Sequence, residues 1–439
     1  MSQPGTPAPT RHDPFAALRQ RDFAIYAVNR FLIGVSLMLV QASITWQVYE
    51  ISGSKLQLGM VGLVQFIPAF FGLSLIGGAF ADSHDRRRIV VAGQVVAITA
   101  SITLMALSVY GDITLLAIYA VVIVIAVASA FENPARQALL PSVVSPEAFP
   151  NAITVSTTMQ QLGFVTGPAL AGFLIYFNGP GLAYGVNAAV IGCSIVTLLL
   201  LRPRPREGER RTVSFAAIKE GVQFVRHRQV LLGAMTLDMF AVIFGGATAL
   251  LPVFAKDVLG VGVLGYGLLA ASLDIGALSM ALALMFLPPI QRTGRALLIA
   301  VAGFGVGTIV FGLSRSFPLS LAAYMFVGAA DQISVVMRFT TVQMATPDEL
   351  RGRVSSVNML FIGASNQLGR VESGFVAAAM GATFAVVSGG VGCLAVLGAV
   401  AAKMPELRRY NIHQPILSAA LVVGEANEQK ETAIATGGN

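Results

Sequence analysis

Residues 145–172 read SPEAFPNAITVSTTMQQLGFVTGPALAG, and residues 346–374 read TPDELRGRVSSVNMLFIGASNQLGRVESG. Each opens on a hydroxyl residue, a proline and an acid: Ser145-Pro146-Glu147 and, 201 residues on, Thr346-Pro347-Asp348. A hydroxyl suits the N-cap, proline suits a first turn whose N–H has no partner, and a carboxylate suits the positive end of the helix dipole. Gly167 and Gly172 return as Gly369 and Gly374 at an offset of 202, and Cys193 returns as Cys393 at 200. One match would be coincidence, but together they place the same helix start and glycine spacing at the same point of each half. The chain reads as a tandem repeat, and repeats around a midplane site characterise secondary transporters.

The chain has 439 residues, 55% apolar and 12% charged, against about 25% charged in soluble domains. Apolar runs bounded by glycine, proline or charge fall at 23–49, 56–81, 89–110, 113–138, 147–177 and 180–201, and again at 229–255, 262–288, 296–314, 317–344, 349–380 and 382–403. In lipid every backbone N–H and C=O must be satisfied within the segment, which leaves helices as the open-ended solution. The expected fold is an all-α membrane protein of twelve transmembrane helices in two six-helix bundles. Its divisions are a tail at 1–22, a bundle at 23–201, a linker at 202–228, a second bundle at 229–403 and a tail at 404–439. The polar stretches are too short to bury a core, which argues against a soluble catalytic domain.

The net charge of +7 is explained by its distribution. With both termini on the side of Arg86-Arg87-Arg88, that face collects 23 of the 29 Lys and Arg residues. Lys55, Lys256 and Arg315 fall on the other face, and Arg30, Arg338 and Arg370 within spans. The excess marks the cytoplasmic side of the membrane, so both termini are expected there and no nucleic-acid partner is needed. Within the linker, Phe215, Ile218, Val222 and Val225 recur at helical spacing, which predicts a short helix on the membrane surface. Cys193 and Cys393 lie inside apolar runs and form no redox motif. The polar N-terminus lacks the features of a cleaved signal, so the first span is expected to direct insertion.

Several motifs resemble the major facilitator superfamily. The loop Gly78-Ala79-Phe80-Ala81-Asp82-Ser83-His84-Asp85-Arg86-Arg87-Arg88 is similar to that family's signature of a Gly, an Asp four residues later and a basic cluster. The stretch from Gly163 through Gly167-Pro168 to Ala171-Gly172 is similar to the GP-containing motif of its exporter branches. WQVYEISGS (46–54), NPARQALLPS (133–142), FGGATALLPVFAKDVLG (244–260) and ATPDELRGRVSSVN (345–358) resemble the bacterial branch containing enterobactin-type exporters. Departures are Ser83 where a basic residue is common, Asp85 where a Gly is, Thr154 in place of an earlier Gly, and Arg370 where close relatives would carry an acid. The resemblance implies a cytoplasmic gate at Gly78, Asp82, Arg86 and Arg87, a helix 5 packing motif at Gly163, Gly167, Pro168 and Gly172, and a central cavity lined by helices 1, 4, 7 and 10.

Nucleotide-binding and hydrolase motifs are missing from the sequence, and His12, His84, His227 and His413 lie in loops or tails. The chain is therefore expected to need no cofactor or metal and not to be an enzyme. Eight charges lie in or beside spans: Arg30, Glu132, Asp238, Asp274, Asp331, Arg338, Arg370 and Glu372. Exposing all of them to lipid would cost on the order of 20 kcal/mol, so they face the interior or one another. Similar depths predict one ion pair per bundle, Arg30 with Glu132 and Asp238 with Arg338, alongside Arg370. A proton carrier must be a buried carboxylate without a permanent cationic partner, which ranks Asp331 first, Asp274 second and Glu372 third. The reading is a proton-coupled exporter of a small amphipathic molecule, such as a drug, siderophore or metabolite, acting as a monomer in the lipid bilayer. An importer or symporter of the same fold is the alternative, ahead of a receptor or a membrane-embedded enzyme.

Overall fold

The computed structural model describes residues 17–73, 76–78, 80, 84–145, 148–201, 215–288, 290–347 and 350–411, and these are helical with short connections. Helix α1 is Arg21–Ser52, α2 is Lys55–Phe70, α3 is Arg86–Tyr110 and α4 is Leu115–Leu139. The stretch Phe149–Leu200 is helical throughout except at Asn178 and Gly179, and Gly179 takes a φ of 72°. A left-handed φ costs glycine nothing and turns the chain there, so this stretch is two helices, α5 over 149–177 and α6 over 180–200.

Helix α7, Phe215–Arg226, precedes α8, Gln229–Phe244. Short turns from Ala247 carry α8 on to a π-helical turn at Phe254–Val258. Then follow α9 (Gly262–Phe286), α10 (Thr293–Leu313), α11 (Phe317–Met344), α12 (Arg351–Met380), α13 (Ala382–Lys403) and the short α14 (Pro405–Arg409).

Among the described residues, nine helical stretches are long and apolar enough to cross a membrane. The expectation of twelve spans differs from this for local reasons. Helices α5 and α6 form one stretch, α2 has only 16 described residues, and α12 carries Arg353, Asn358, Asn366, Gln367, Arg370 and Glu372. The predicted capping is also revised. Helix α5 starts at Phe149 and α12 at Arg351, with no side-chain cap on either. The Ser145 hydroxyl instead accepts from Gln20 Nε2 at 3.1 Å, and Thr346 Oγ1 donates back to the Val342 carbonyl at 2.6 Å. Thr346, just beyond the end of α11, thus meets an unsatisfied carbonyl of that helix first, whereas Ser145 is taken by the Gln20 amide. Pro146, Glu147 and Asp348 lie outside the described residues.

In the first half α1 packs along α5 and α6, α3 against α4 and α6, and α2 against α4. In the second half α11 packs against α9 and α10, α13 against α10 and α8, and α12 against α8. The most extensive contacts between the halves are those of α2 with α12 and of α5 with α9. The first and last described residues, around Ala17 and Tyr410, lie on one face, here the terminal face. There the starts of α1, α3 and α5 gather with the ends of α4 and α6 around Phe23, Leu139, Ala152 and Leu198. The predicted surface helix is α7, and its Val225 is buried beside Leu231, Val342, Val354 and Tyr410. Those two clusters belong to one half each. The largest cluster runs through both halves toward the opposite, far face, from Leu39 and Trp46 to Phe254, Tyr266 and Phe311.

Candidate functional site: a polar cavity between the halves

A cavity of about 290 Å³ lies between α1, α2, α4 and α12. Leu37, Val40, Ile44, Val122 and Ile125 supply apolar wall, while Gln41, Gln65, Ser129, Asn133, Gln367 and Arg370 supply the polar groups. An apolar wall with a few convergent polar groups is the usual make-up of a small-molecule site. Those groups are ordered: Arg370 Nη1 donates to Gln65 Oε1 at 2.9 Å, Gln65 Nε2 to Gln41 Oε1 at 2.7 Å, and Gln41 Nε2 to Thr45 Oγ1 at 3.2 Å. Gly62 makes this possible, because a Cβ there would lie 2.7 Å from Arg370 Cβ. Of the charges expected in the cavity, Arg370 borders it, whereas Arg30, Glu132, Asp238 and Arg338 do not.

Those four have their partners elsewhere. Arg338 Nε lies 3.0 Å from Asp238 Oδ1, and its Nη1 donates to Asn358 Oδ1 at 2.9 Å, which ties α8, α11 and α12 together. The predicted Arg30–Glu132 pair is not formed. Glu132 pairs with Arg136 on its own helix, and Arg30 donates to Gln160 Oε1. An i, i+4 partner is reached within one turn of α4, before any residue of α1 can compete. Arg136, assigned from sequence to the basic loop face, is in fact buried. It stands 202 residues before Arg338, the offset of the glycine repeat, and that offset was the signal that identifies it.

The three carboxylates ranked as proton carriers differ in their surroundings. Asp274 on α9 accepts from Gln161 Nε2 on α5 at 3.2 Å, a bond between the two halves. Asp331 on α11 makes no hydrogen bond or ion pair among the described residues and feels Asp238, Arg338 and Asp274 electrostatically. Glu372 accepts from the adjacent Ser373 hydroxyl at 3.3 Å. None of the three borders the cavity around Arg370.

The far side of the cavity is closed by contacts across the halves. The Trp46 ring packs against that of Tyr266, tilted by 32° with centroids 5.3 Å apart, and the Tyr266 hydroxyl donates to the Ala42 carbonyl at 3.0 Å. Beyond them Tyr49 donates to Asp257, and Lys256 sits 5.9 Å over the Tyr49 ring. Sequence reading passed over Tyr49 and Asp257 because each lies at a span end, where charge and phenol are ordinary.

The glycines of α5 work in two directions. A Cβ on Gly163 or Gly167 would strike the backbone of α1 at Phe31 or Val35, whereas one on Gly172 would strike Gly267 of α9. Pro168 lies between them, and its carbonyl faces Gly267. The repeat partners do the same work: Gly369 lies against Val242 of α8, and Gly374 against Gly59 of α2.

At the terminal face, Asp82 lies outside the described residues. Arg86 donates to the Ala138 carbonyl at 3.2 Å and Arg87 to the Leu199 carbonyl at 2.6 Å, so both hold helix ends of their own half. An added Cβ at Gly78 would meet open space. Asp85 is the N-cap of α3, accepting from the backbone of Arg87 at 2.9 Å and of Arg88 at 3.4 Å.

All-helical among the described residues, with many apolar spans joined across its halves around a cavity, the chain has the architecture of a multi-pass membrane transporter of the major facilitator type. Comparison with solved structures agrees in fold. A bacterial homolog of the human lysosomal transporter Spinster, in an inward-facing and unoccupied conformation, matches with a TM-score of 0.68 at 15% identity, covering 90% of this chain and 97% of that one. The nucleoside transporter NupG matches with a TM-score of 0.66 at 13% identity, covering 88% and 98%. Residues 12–426 match the transmembrane secretion effector family, and the chain belongs to it. The enterobactin exporter EntS of Escherichia coli O1:K1 / APEC is 24% identical over 398 residues, 91% of this chain and 95% of the relative. The same exporter from Escherichia coli O157:H7 is 24% identical over the same length. These relatives and structural neighbours are transporters and not enzymes.

Proposed function

We propose that this protein exports a small amphipathic molecule across the bacterial inner membrane in exchange for protons, by alternating access. In this reading twelve spans form two six-helix bundles, both termini are cytoplasmic, and the terminal face is the side from which substrate enters. Export is supported by the family and by the relatives named above. Alternating access is supported by a core continuous between the halves toward the far face and divided toward the terminal face.

The observation that carries proton coupling is the Gln161–Asp274 bond. It places a carboxylate without a cationic partner across the joint between the halves, so gaining or losing a proton there changes a contact that must break and re-form. Asp331 stands close enough to feel that charge. Arg370 cannot carry a proton at neutral pH and serves instead as a fixed charge in the cavity. The test is reconstitution into vesicles with an imposed pH gradient, following efflux of an amphipathic dye together with internal pH. Dye movement without proton movement sinks the coupling, and proton movement driving dye the other way sinks the direction.

A further inference from the structure

The cavity charge is left without a counter-ion. Arg370 projects from α12 toward α2, and among the described residues no carboxylate lies within ion-pair distance of it. Its fixed partner is a neutral amide, Gln65 Oε1, whose own N–H₂ is spent on Gln41. That chain, closed by the Thr45 hydroxyl donating to the Gln41 carbonyl at 2.7 Å, holds both amides with an oxygen turned toward the guanidinium side. It occupies Nη1 and leaves Nε and Nη2 for another acceptor. Neither of these is a buried, unpartnered atom.

One turn earlier on α12, Gln367 also lines the cavity, and its Oε1 is buried with no hydrogen-bond partner. The site therefore offers a cationic fork and, beside it, an unused acceptor. Opposite them stands an apolar wall from Leu37, Val40, Ile44, Val122 and Ile125. Burying a cation without an anion is costly, and a guanidinium fork matches a carboxylate in shape as well as charge.

We infer that the cavity binds an organic carboxylate on an apolar body, the carboxylate on Arg370 and the body against α1 and α4. This deepens the transport reading, on which it rests, by naming the substrate class. A hydrogen-bond donor next to the carboxylate would meet Gln367 Oε1. The same residue also sits where the halves cross, because Gly62 and Gly59 of α2 pack against Arg370 and Gly374 of α12. Bound anion thus touches the joint that has to part when the far face opens.

The experiment uses the full-length protein in lipid nanodiscs and three probes sharing one body: naphthylacetate, naphthylethanol and naphthylethylammonium. Titration calorimetry is expected to show naphthylacetate bound at least about tenfold more tightly than the other two, the value of a charge-assisted bond. Arg370→Gln should abolish that preference and leave the alcohol's affinity within about twofold, while Arg370→Lys, which keeps charge but not the fork, should retain part of it. Equal affinity for all three probes in the wild type, no measurable binding of naphthylacetate, or a preference that survives Arg370→Gln would each overturn the proposal. If Arg370→Gln does not fold, the wild-type preference and its reduction in Arg370→Lys decide the matter. Efflux of the neutral alcohol from vesicles would leave the transport reading standing even where the carboxylate preference fails.

Discussion

Gly172 of α5 and Gly267 of α9 face each other across the two halves, and a Cβ built on either would come within 2.8 Å of the other's Cα. No side chain fits between them, so the halves touch backbone to backbone. Small residues allow this approach in lipid, where packing rather than hydrophobicity drives helix association. Gly172→Ala or Gly267→Ala is expected to cost about 1 to 3 kcal/mol of the closed far face through overpacking. Thiol labelling of a cysteine placed at Tyr49 should then speed up from the far side, and Gly374→Ala, the repeat counterpart of Gly172→Ala, should do the same. Labelling that stays at the wild-type rate in all three would mean that this seam does not set which face is closed.

The Asp238–Arg338–Asn358 cluster should behave as one unit. Arg338→Met leaves Asp238 buried without its cation, and the expected loss is about 3 to 5 kcal/mol, read as a large fall in melting temperature. Exchanging the pair, Asp238→Arg with Arg338→Asp, should recover part of that loss relative to the sum of the singles. Additive effects in the double variant would show that the pair contributes no coupling.

Arg136 and Arg30 should separate in the same assay. Arg136→Met leaves Glu132 uncompensated within α4 and is expected to resemble Arg338→Met in size. Arg30→Gln removes a bond to a neutral amide and should cost no more than about 3 kcal/mol. A reversed order would restore the Arg30–Glu132 pairing that sequence alone implied.

For proton coupling, Asp274→Asn, Asp331→Asn and Glu372→Gln should be compared in vesicles for substrate exchange and for pH-driven transport. The carrier is the variant that still exchanges substrate and no longer responds to the gradient, and Asp274→Asn is expected to show this. Gln161→Ala, which removes the bond across the halves, should shift the pH midpoint of transport and keep coupling. Retained coupling in all three carboxylate variants would point to another ion.

Tyr49→Phe removes the hydroxyl bonded to Asp257 and keeps the ring. Its expected effect is a loss of about 1 to 2 kcal/mol from the closed far face, seen as a higher basal leak of substrate from vesicles. Asp257→Asn should fall between wild type and Tyr49→Phe, since an amide oxygen still accepts. An unchanged leak in both would make this contact a passive one.

The sequence by itself determined what periodic composition and repetition can encode. Runs of apolar residues of membrane length dictate helices, because lipid offers the backbone no other partner. The offset of 202 between Gly167 and Gly369, and between Gly172 and Gly374, fixed in advance that the two halves would use glycine at the same places. The buried position of Asp238 and Arg338 was legible too, since a charge in a span has to find a partner. The tertiary structure decided which partner each group takes. Glu132 takes Arg136 rather than Arg30, Arg370 takes an amide rather than an acid, and Asp274 reaches Gln161 in the other half. Spacing along the chain sets only a residue's depth and the face of its helix. Which neighbour lies within about 3 Å depends on how helices cross, and that follows from backbone approach at glycines such as Gly62 and Gly172, whose partners are hundreds of residues or another helix away.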